Sequence, residues 1–130
     1  MEIVVDANIL LAVILNEPEK RRIINLTKDT ELIVPEIMSY EIGNALSGLL
    51  KRRRLSQEQA VSVYNTYQFI PLRLVKADPR KALKLAAKYN IYAYDAYYLE
   101  IALRLKTPLL TLDKQMQSIG ADLKIEIWEV

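Results

Sequence analysis

The chain contains neither cysteine nor histidine, and these two absences exclude a large share of enzyme chemistry. Without cysteine there is no disulfide scaffold, no thiolate nucleophile and no Cys-ligated zinc site. Without histidine the usual general base and the commonest imidazole metal ligand are missing too. Aspartate and glutamate remain as the main candidates for chemistry, and any metal they hold must be hard and oxygen-bound. A dominant charge is also lacking: 18 basic against 16 acidic residues leave a net charge of +2, which permits a nucleic-acid partner without arguing for one. Long apolar runs are absent as well. The stretch from Ala7 to Leu15 is too short for a bilayer span, which needs roughly 20 residues, and it has no basic leader of the secretory kind. The chain is therefore expected in the cytoplasm, with no membrane association.

What is present is a chain of 130 residues, 52% of them hydrophobic, which is enough for one domain with a core of its own. No repeat, linker or low-complexity tract divides it. Ile3-Val4-Val5 is an uninterrupted β-branched run that ends in Asp6, as expected of a strand buried on both faces. Apolar residues from Ala7 to Leu15 follow as a helix, so Asp6 and Asn8 lie where strand passes to helix. A second helix is expected from Pro18 to about Lys28, and a strand at Leu32-Ile33-Val34. Pro35 is expected to open a helix to about Lys51. Ser56 and Gln59 form a capping-box pair for a helix to about Phe69, and Pro71 to Val75 reads as a strand. Asp78-Pro79 opens a basic helix to Tyr89, and Asp95 is expected to start another to Lys106. The remainder reads as a strand from Pro108 to Leu112, a helix from Lys114 closed by Gly120, and a last strand from Lys124 to Trp128. Strands alternating with helices predict an α/β domain, with a mostly parallel sheet of four to five strands flanked by helices.

Four carboxylates stand out in this frame. On the helix after Pro35, Glu41 falls between Ile37 and Ala45, inside the apolar stripe, where a charge needs a cation, a metal or a donor. A salt bridge to a core-edge Lys or Arg explains it equally well, and Asn44 borders the same side. Asp6, Asp95 and Asp113 each stand where an N-cap is expected, and capping explains each of them singly. Together they read differently, because Asp6 and Asp113 both follow strands at their carboxyl ends, where open α/β sheets bind ligands. Two carboxylates about 4 Å apart repel by roughly 4 kcal/mol at an effective dielectric near 20. The natural neutraliser for such a group is a divalent cation, Mg2+ or Mn2+.

The runs Val4-Val5-Asp6-Ala7-Asn8, Tyr40-Glu41-Ile42-Gly43-Asn44-Ala45-Leu46, Tyr94-Asp95-Ala96-Tyr97-Tyr98-Leu99 and Leu110-Thr111-Leu112-Asp113 resemble the successive motifs of the PIN domain. More narrowly, the chain resembles the VapC toxins of type II toxin-antitoxin pairs, over essentially its whole length. The resemblance implies a three-layer PIN-like fold across residues 1–130 and a Mg2+- or Mn2+-dependent endoribonuclease. Asp6, Glu41, Asp95 and Asp113 would be its catalytic and metal-holding acids. It further implies that Asn8 holds the turn after the first strand, that Thr111 places a hydroxyl near a metal or its water, and that the products carry 5'-phosphate and 3'-hydroxyl ends. A homodimer and a VapB-like antitoxin are the partners it implies, beside the RNA substrate. The alternative is a non-catalytic PIN-like module that binds RNA or protein, in which the acids only cap helices. A phosphoacceptor receiver domain is the other α/β possibility, but it calls for paired acids after the first strand, where Ala7 and Asn8 stand.

Lys51-Arg52-Arg53-Arg54 is the densest basic run. It suits RNA phosphates and, as well, the carboxyl end of a helix. Tyr92, Tyr94, Tyr97 and Tyr98 crowd around Asp95, where they can stack a base or simply pack. The first helix is apolar nearly all round, which fits burial in the core or a partner surface.

Overall fold

A computed structural model describes residues 1–130. In chain order the elements are β1 (Glu2–Val5), α1 (Ala7–Ile14), α2 (Lys20–Thr27), β2 (Glu31–Pro35), α3 (Met38–Lys51), α4 (Gln57–Tyr67) and β3 (Arg73–Val75), then α5 (Pro79–Tyr89), α6 (Ala93–Leu105), β4 (Leu109–Leu110), α7 (Lys114–Asp122) and β5 (Ile127–Trp128). The five strands form one sheet in the order β3-β2-β1-β4-β5, and every pairing is parallel. Val4 is level with Ile33 on one side and Leu109 on the other, so β1 is the middle strand. Ile3, Val4 and Val5 are fully buried, as their β-branched run requires of a strand covered on both faces.

Strand order reverses direction at β1. The chain steps outward from β1 through β2 to β3, then returns to lay β4 on the other side of β1. The crevice beyond the carboxyl ends of β1 and β4 is therefore the switch point, the usual ligand position in open α/β sheets. Helix α6 packs on β1, β2 and β4 and carries α5 against it, while α1 gathers α2, α3 and α4 around itself. Ile9 to Ala12 are buried and Val13 to Leu15 are half-buried. The apolar first helix is thus largely core.

Several expected boundaries move. Pro35 is the last residue of β2, level with Val75 of β3, and α3 begins only at Met38; a proline's missing donor costs little at a strand end. Helix α6 starts at Ala93 with Tyr92 as its cap residue, so Asp95 lies inside the first turn and caps nothing. Gly120 does not close α7, which runs on to Asp122. A Cβ at Gly120 would lie 2.5 Å from Ile127 Cδ1, so this glycine serves the close approach of α7 to β5. The capping box of Ser56 and Gln59 is present in full. Asp78 caps α5 through the N–H groups of Arg80 and Lys81.

Candidate active site

Asp6 stands at the carboxyl end of β1, and its two oxygens have different duties. Oδ1 accepts the Ile9 N–H at 3.1 Å and so caps α1, as a short carboxylate does at the start of a helix. Oδ2 accepts the hydroxyl proton of Thr111, which follows β4 and is fully buried. The same Thr111 oxygen accepts the Asp113 N–H at 3.1 Å, so one side chain ties the ends of β1 and β4 together. Asp113 in turn caps α7, its Oδ1 accepting from Gln115 at 2.8 Å and Met116 at 3.1 Å.

Glu41 lies in the first turn of α3, with Oε2 accepting the Tyr98 hydroxyl at 2.5 Å. Its other oxygen, Oε1, is buried and has no hydrogen-bond partner. Asp95 projects from the first turn of α6, where the positive end of the helix dipole favours a carboxylate. Tyr98 is three residues further on the same face. The four acids line one cleft of about 530 Å³, with Asn8, Asn44, Tyr40, Tyr94 and Tyr98 among the other walls, and no lysine or arginine contributes to it.

Crowding and burial show in the acidities. Burial pushes the Asp6 carboxyl up to about 6; the hydrogen bonds from Thr111 and Ile9 oppose this, and the charges of Asp113 and Asp95 add to it. Burial raises Glu41 as well, against the Tyr98 hydrogen bond and with the help of Asp6 and Asp95. Asp95 is raised by burial and then by Asp113. Burial and the adjacent Glu41 push the Tyr98 phenol far up, so it stays protonated and remains a donor.

The acids share the cleft without forming a ready-made cage, since no three of them reach metal-holding spacing. Asp6 and Asp113 are engaged by helix caps and Thr111, and Glu41 is turned toward Tyr98. The donor set nonetheless fits a hard divalent ion: all oxygen, uncompensated by any cation, with one buried carboxylate oxygen lacking a partner.

Asn8 is exposed and lines the cleft, but the turn after β1 is closed by Asp6. Asn44 also lines the cleft, while the group that orients Glu41 is Tyr98. Thr111 gives its proton to Asp6. Sequence offers stacking or packing for Tyr98 but not its hydrogen bond to Glu41, because that partner lies 57 residues away. Of the other tyrosines near Asp95, Tyr94 lines the cleft and Tyr92 and Tyr97 do not, whereas Tyr40, not singled out from sequence, does. The basic run sits at the opposite end of α3 from Glu41, and of its four residues only Arg52 lines a cavity beside the cleft.

A parallel sheet that collects acids from four segments at its switch point defines an α/β domain built around a cleft of carboxylates. The chain belongs to the PIN domain family, whose model matches residues 3–122. It is 29% identical over 118 residues to the VapC ribonuclease Mb0985 of Mycobacterium bovis, covering 91% of each chain. It is 26% identical over 121 residues to ribonuclease VapC3 of Pyrobaculum aerophilum, covering 89% of this chain and 92% of that one. Among solved structures it shares its fold with PAE2754 from Pyrobaculum aerophilum (TM-score 0.73, 23% identity, 98% of this chain and 83% of that one). The fold is also that of VapBC2 from Rickettsia felis, solved with a DNA fragment from their promoter (TM-score 0.66, 15% identity, 98% of each chain).

Proposed function

We propose that this chain is a divalent-metal-dependent endoribonuclease that hydrolyses phosphodiester bonds, with Asp6, Glu41, Asp95 and Asp113 holding Mg2+ or Mn2+. One observation carries the reading: four carboxylates from separate segments line one cleft without a compensating cation, and Glu41 Oε1 is buried there unpaired. Relatives named ribonucleases, matched over most of both chains, support RNA as the substrate. When bound, such an ion relieves charge on the phosphoryl oxygens and makes a bound water more acidic. The chain's own residues then do the positioning. Thr111 and the Ile9 N–H fix Asp6, and Tyr98 holds Glu41 Oε2, so that Oε1 is the oxygen left to face the ion or to take a proton from water.

The reading in which the acids only cap helices accounts for Asp6 and Asp113. It fails at Asp95 and Glu41, which cap nothing. The named relatives and the VapBC likeness support a toxin restrained by a VapB-like antitoxin, and we place it in the cytoplasm as a homodimer. No helix is long and apolar enough to cross a membrane.

Incubation of the purified chain with cellular RNA tests the proposal. Cleavage is expected only with Mg2+ or Mn2+, leaving 5'-phosphate and 3'-hydroxyl ends. It should stop with a chelator and fall at least a hundredfold in Asp6→Asn or Asp95→Asn. Cleavage that persists at full rate in either variant would falsify the assignment.

A further inference from the structure

The acid cleft does not end at the acids. Asn8, Asn44, Ala45 and Asp113 are shared walls with a second cavity of about 700 Å³, a trough between α1 and α3. Arg52, the residue that ends α3, stands in this trough. It lies eleven positions beyond Glu41 along α3, a rise of about 16 Å. Its guanidinium folds back over Gly48, one turn earlier, with Nη1 3.5 Å and Nη2 3.9 Å from where a Cβ would be. The guanidinium thus rests in van der Waals contact with the helix surface at Gly48, on the wall of the trough.

That guanidinium is unspent. The molecule's ion pairs are Arg73 with Glu2 and Arg104 with Glu100, and Arg52 enters neither these nor any side-chain hydrogen bond. Glu17 and Glu19 also line the trough without pairing with Arg52, and their charges repel a polyanion. Leu11, Leu15 and Leu49 supply apolar wall between. A guanidinium with its fork of donors free is suited to hold a phosphate through two parallel bonds. Lys51, Arg53 and Arg54 line neither cavity.

Building on the ribonuclease reading of the acid cleft, we propose that the trough is a binding subsite for the RNA strand flanking the scissile bond, with one of its phosphates on Arg52. Glu17, Glu19 and Asp113 repel phosphates elsewhere in the trough, which leaves Arg52 as the one cation there to hold one. The basic run contributes one residue to this path. Its other three cations lie outside it.

The test compares Arg52→Gln with Arg54→Gln, each made in the unaltered chain and in the inactive Asp6→Asn form. Fluorescence anisotropy of a labelled single-stranded RNA of about twenty nucleotides, at several salt concentrations, reads binding to the inactive forms. Arg52→Gln is expected to weaken binding about tenfold and to lower the salt slope by about 0.7, the share of one phosphate on a single strand. Arg54→Gln should stay within twofold of its parent. In the active chain, Arg52→Gln should raise KM for the same RNA with kcat within about twofold, and leave cleavage of a dinucleotide unchanged. Unaltered binding in Arg52→Gln, or an equal loss in Arg54→Gln, overturns the subsite. Should the Asp6→Asn form bind RNA in the Arg52-dependent way while the unaltered chain cuts none, the subsite stands and the nuclease reading fails; cleavage that ignores Arg52 gives the reverse.

Discussion

Asp6 is capped, hydrogen-bonded and 8% exposed, and the balance of these effects still raises its carboxyl from 3.8 to about 6. Below pH 3.8 the group is protonated in both folded and unfolded chains and its burial carries no penalty. Between 3.8 and about 6 the unfolded chain ionises first, so stability drains away as pH rises. Above 6 the full penalty remains, up to about 3 kcal/mol. Asp6→Asn keeps an oxygen for the α1 cap and removes the charge. It also removes the acceptor of the buried Thr111 hydroxyl, a cost that does not vary with pH, so with a chelator present its Tm relative to the unaltered chain should be several degrees higher at pH 7.5 than at pH 4. Calorimetry across that range checks this, and a difference independent of pH would contradict it. Glu41 poses a complementary question, because Tyr98 is its one hydrogen-bond donor. Tyr98→Phe conserves the packing and deletes that donor, so loss should appear in function more than in fold. Removing an outer partner of a metal-holding side chain typically costs 10–100-fold. A loss of that order is expected in Mn2+ affinity and kcat/KM, with an unchanged circular dichroism spectrum; parental Mn2+ affinity would show that Tyr98 only packs.

At the level of elements, α6 does two jobs with two faces. Asp95 and Tyr98 serve the cleft, while Glu100, 2% exposed, ties the helix to the start of α5. Glu100 accepts from the Asp78 N–H at 2.7 Å and from Arg104 at 2.8 and 3.2 Å, and Arg104 also donates to the Lys76 carbonyl at 2.8 Å. Glu100→Ala leaves the Asp78 N–H and the guanidinium without their acceptor. A loss of about 2–3 kcal/mol is expected, read by urea unfolding, with kcat unchanged well below the new Tm; a drop in kcat at full folding would instead tie this staple to the site. Caps explain which parts of the elements were legible in sequence. Ser56, Asp78 and Asp113 announce their helices with side chains that act locally, within three residues. Tyr92 offers no capping side chain, so the start of α6 is masked by Asp95, which imitates a cap three residues late. The Tyr98–Glu41 contact and the freedom of Glu41 Oε1 depend on how α6 meets α3, and no local spacing encodes that. Scarce glycine has a visible effect too: left-handed backbone falls on Asn16, Arg53, Asn90, Lys106 and Lys124, and on none of the three glycines.

For the molecule as a whole, the sheet order brings the ends of β1 and β4 side by side, and with them Asp6 and Asp113, from positions 107 residues apart. Their convergence could be anticipated because each acid follows an apolar strand, and parallel strands present their carboxyl ends at one edge. Burying carboxylates there and gathering their like charges opposes folding, as the raised pKa values of Asp6, Glu41 and Asp95 record. An ion that binds the folded cleft and not the unfolded chain offsets that opposition through mass action, by about 2.7 kcal/mol at a hundred times its Kd. Mn2+ should therefore raise the Tm of the unaltered chain at pH 7.5. The rise should shrink as pH falls through 6, where protons compete for Asp6, and should be lost in Asp95→Asn, which leaves the caps of α1 and α7 intact. Differential scanning calorimetry with and without Mn2+ distinguishes the outcomes: an equal rise in the variant would place the ion elsewhere on the surface, and no rise in the unaltered chain would remove the metal from the cleft altogether.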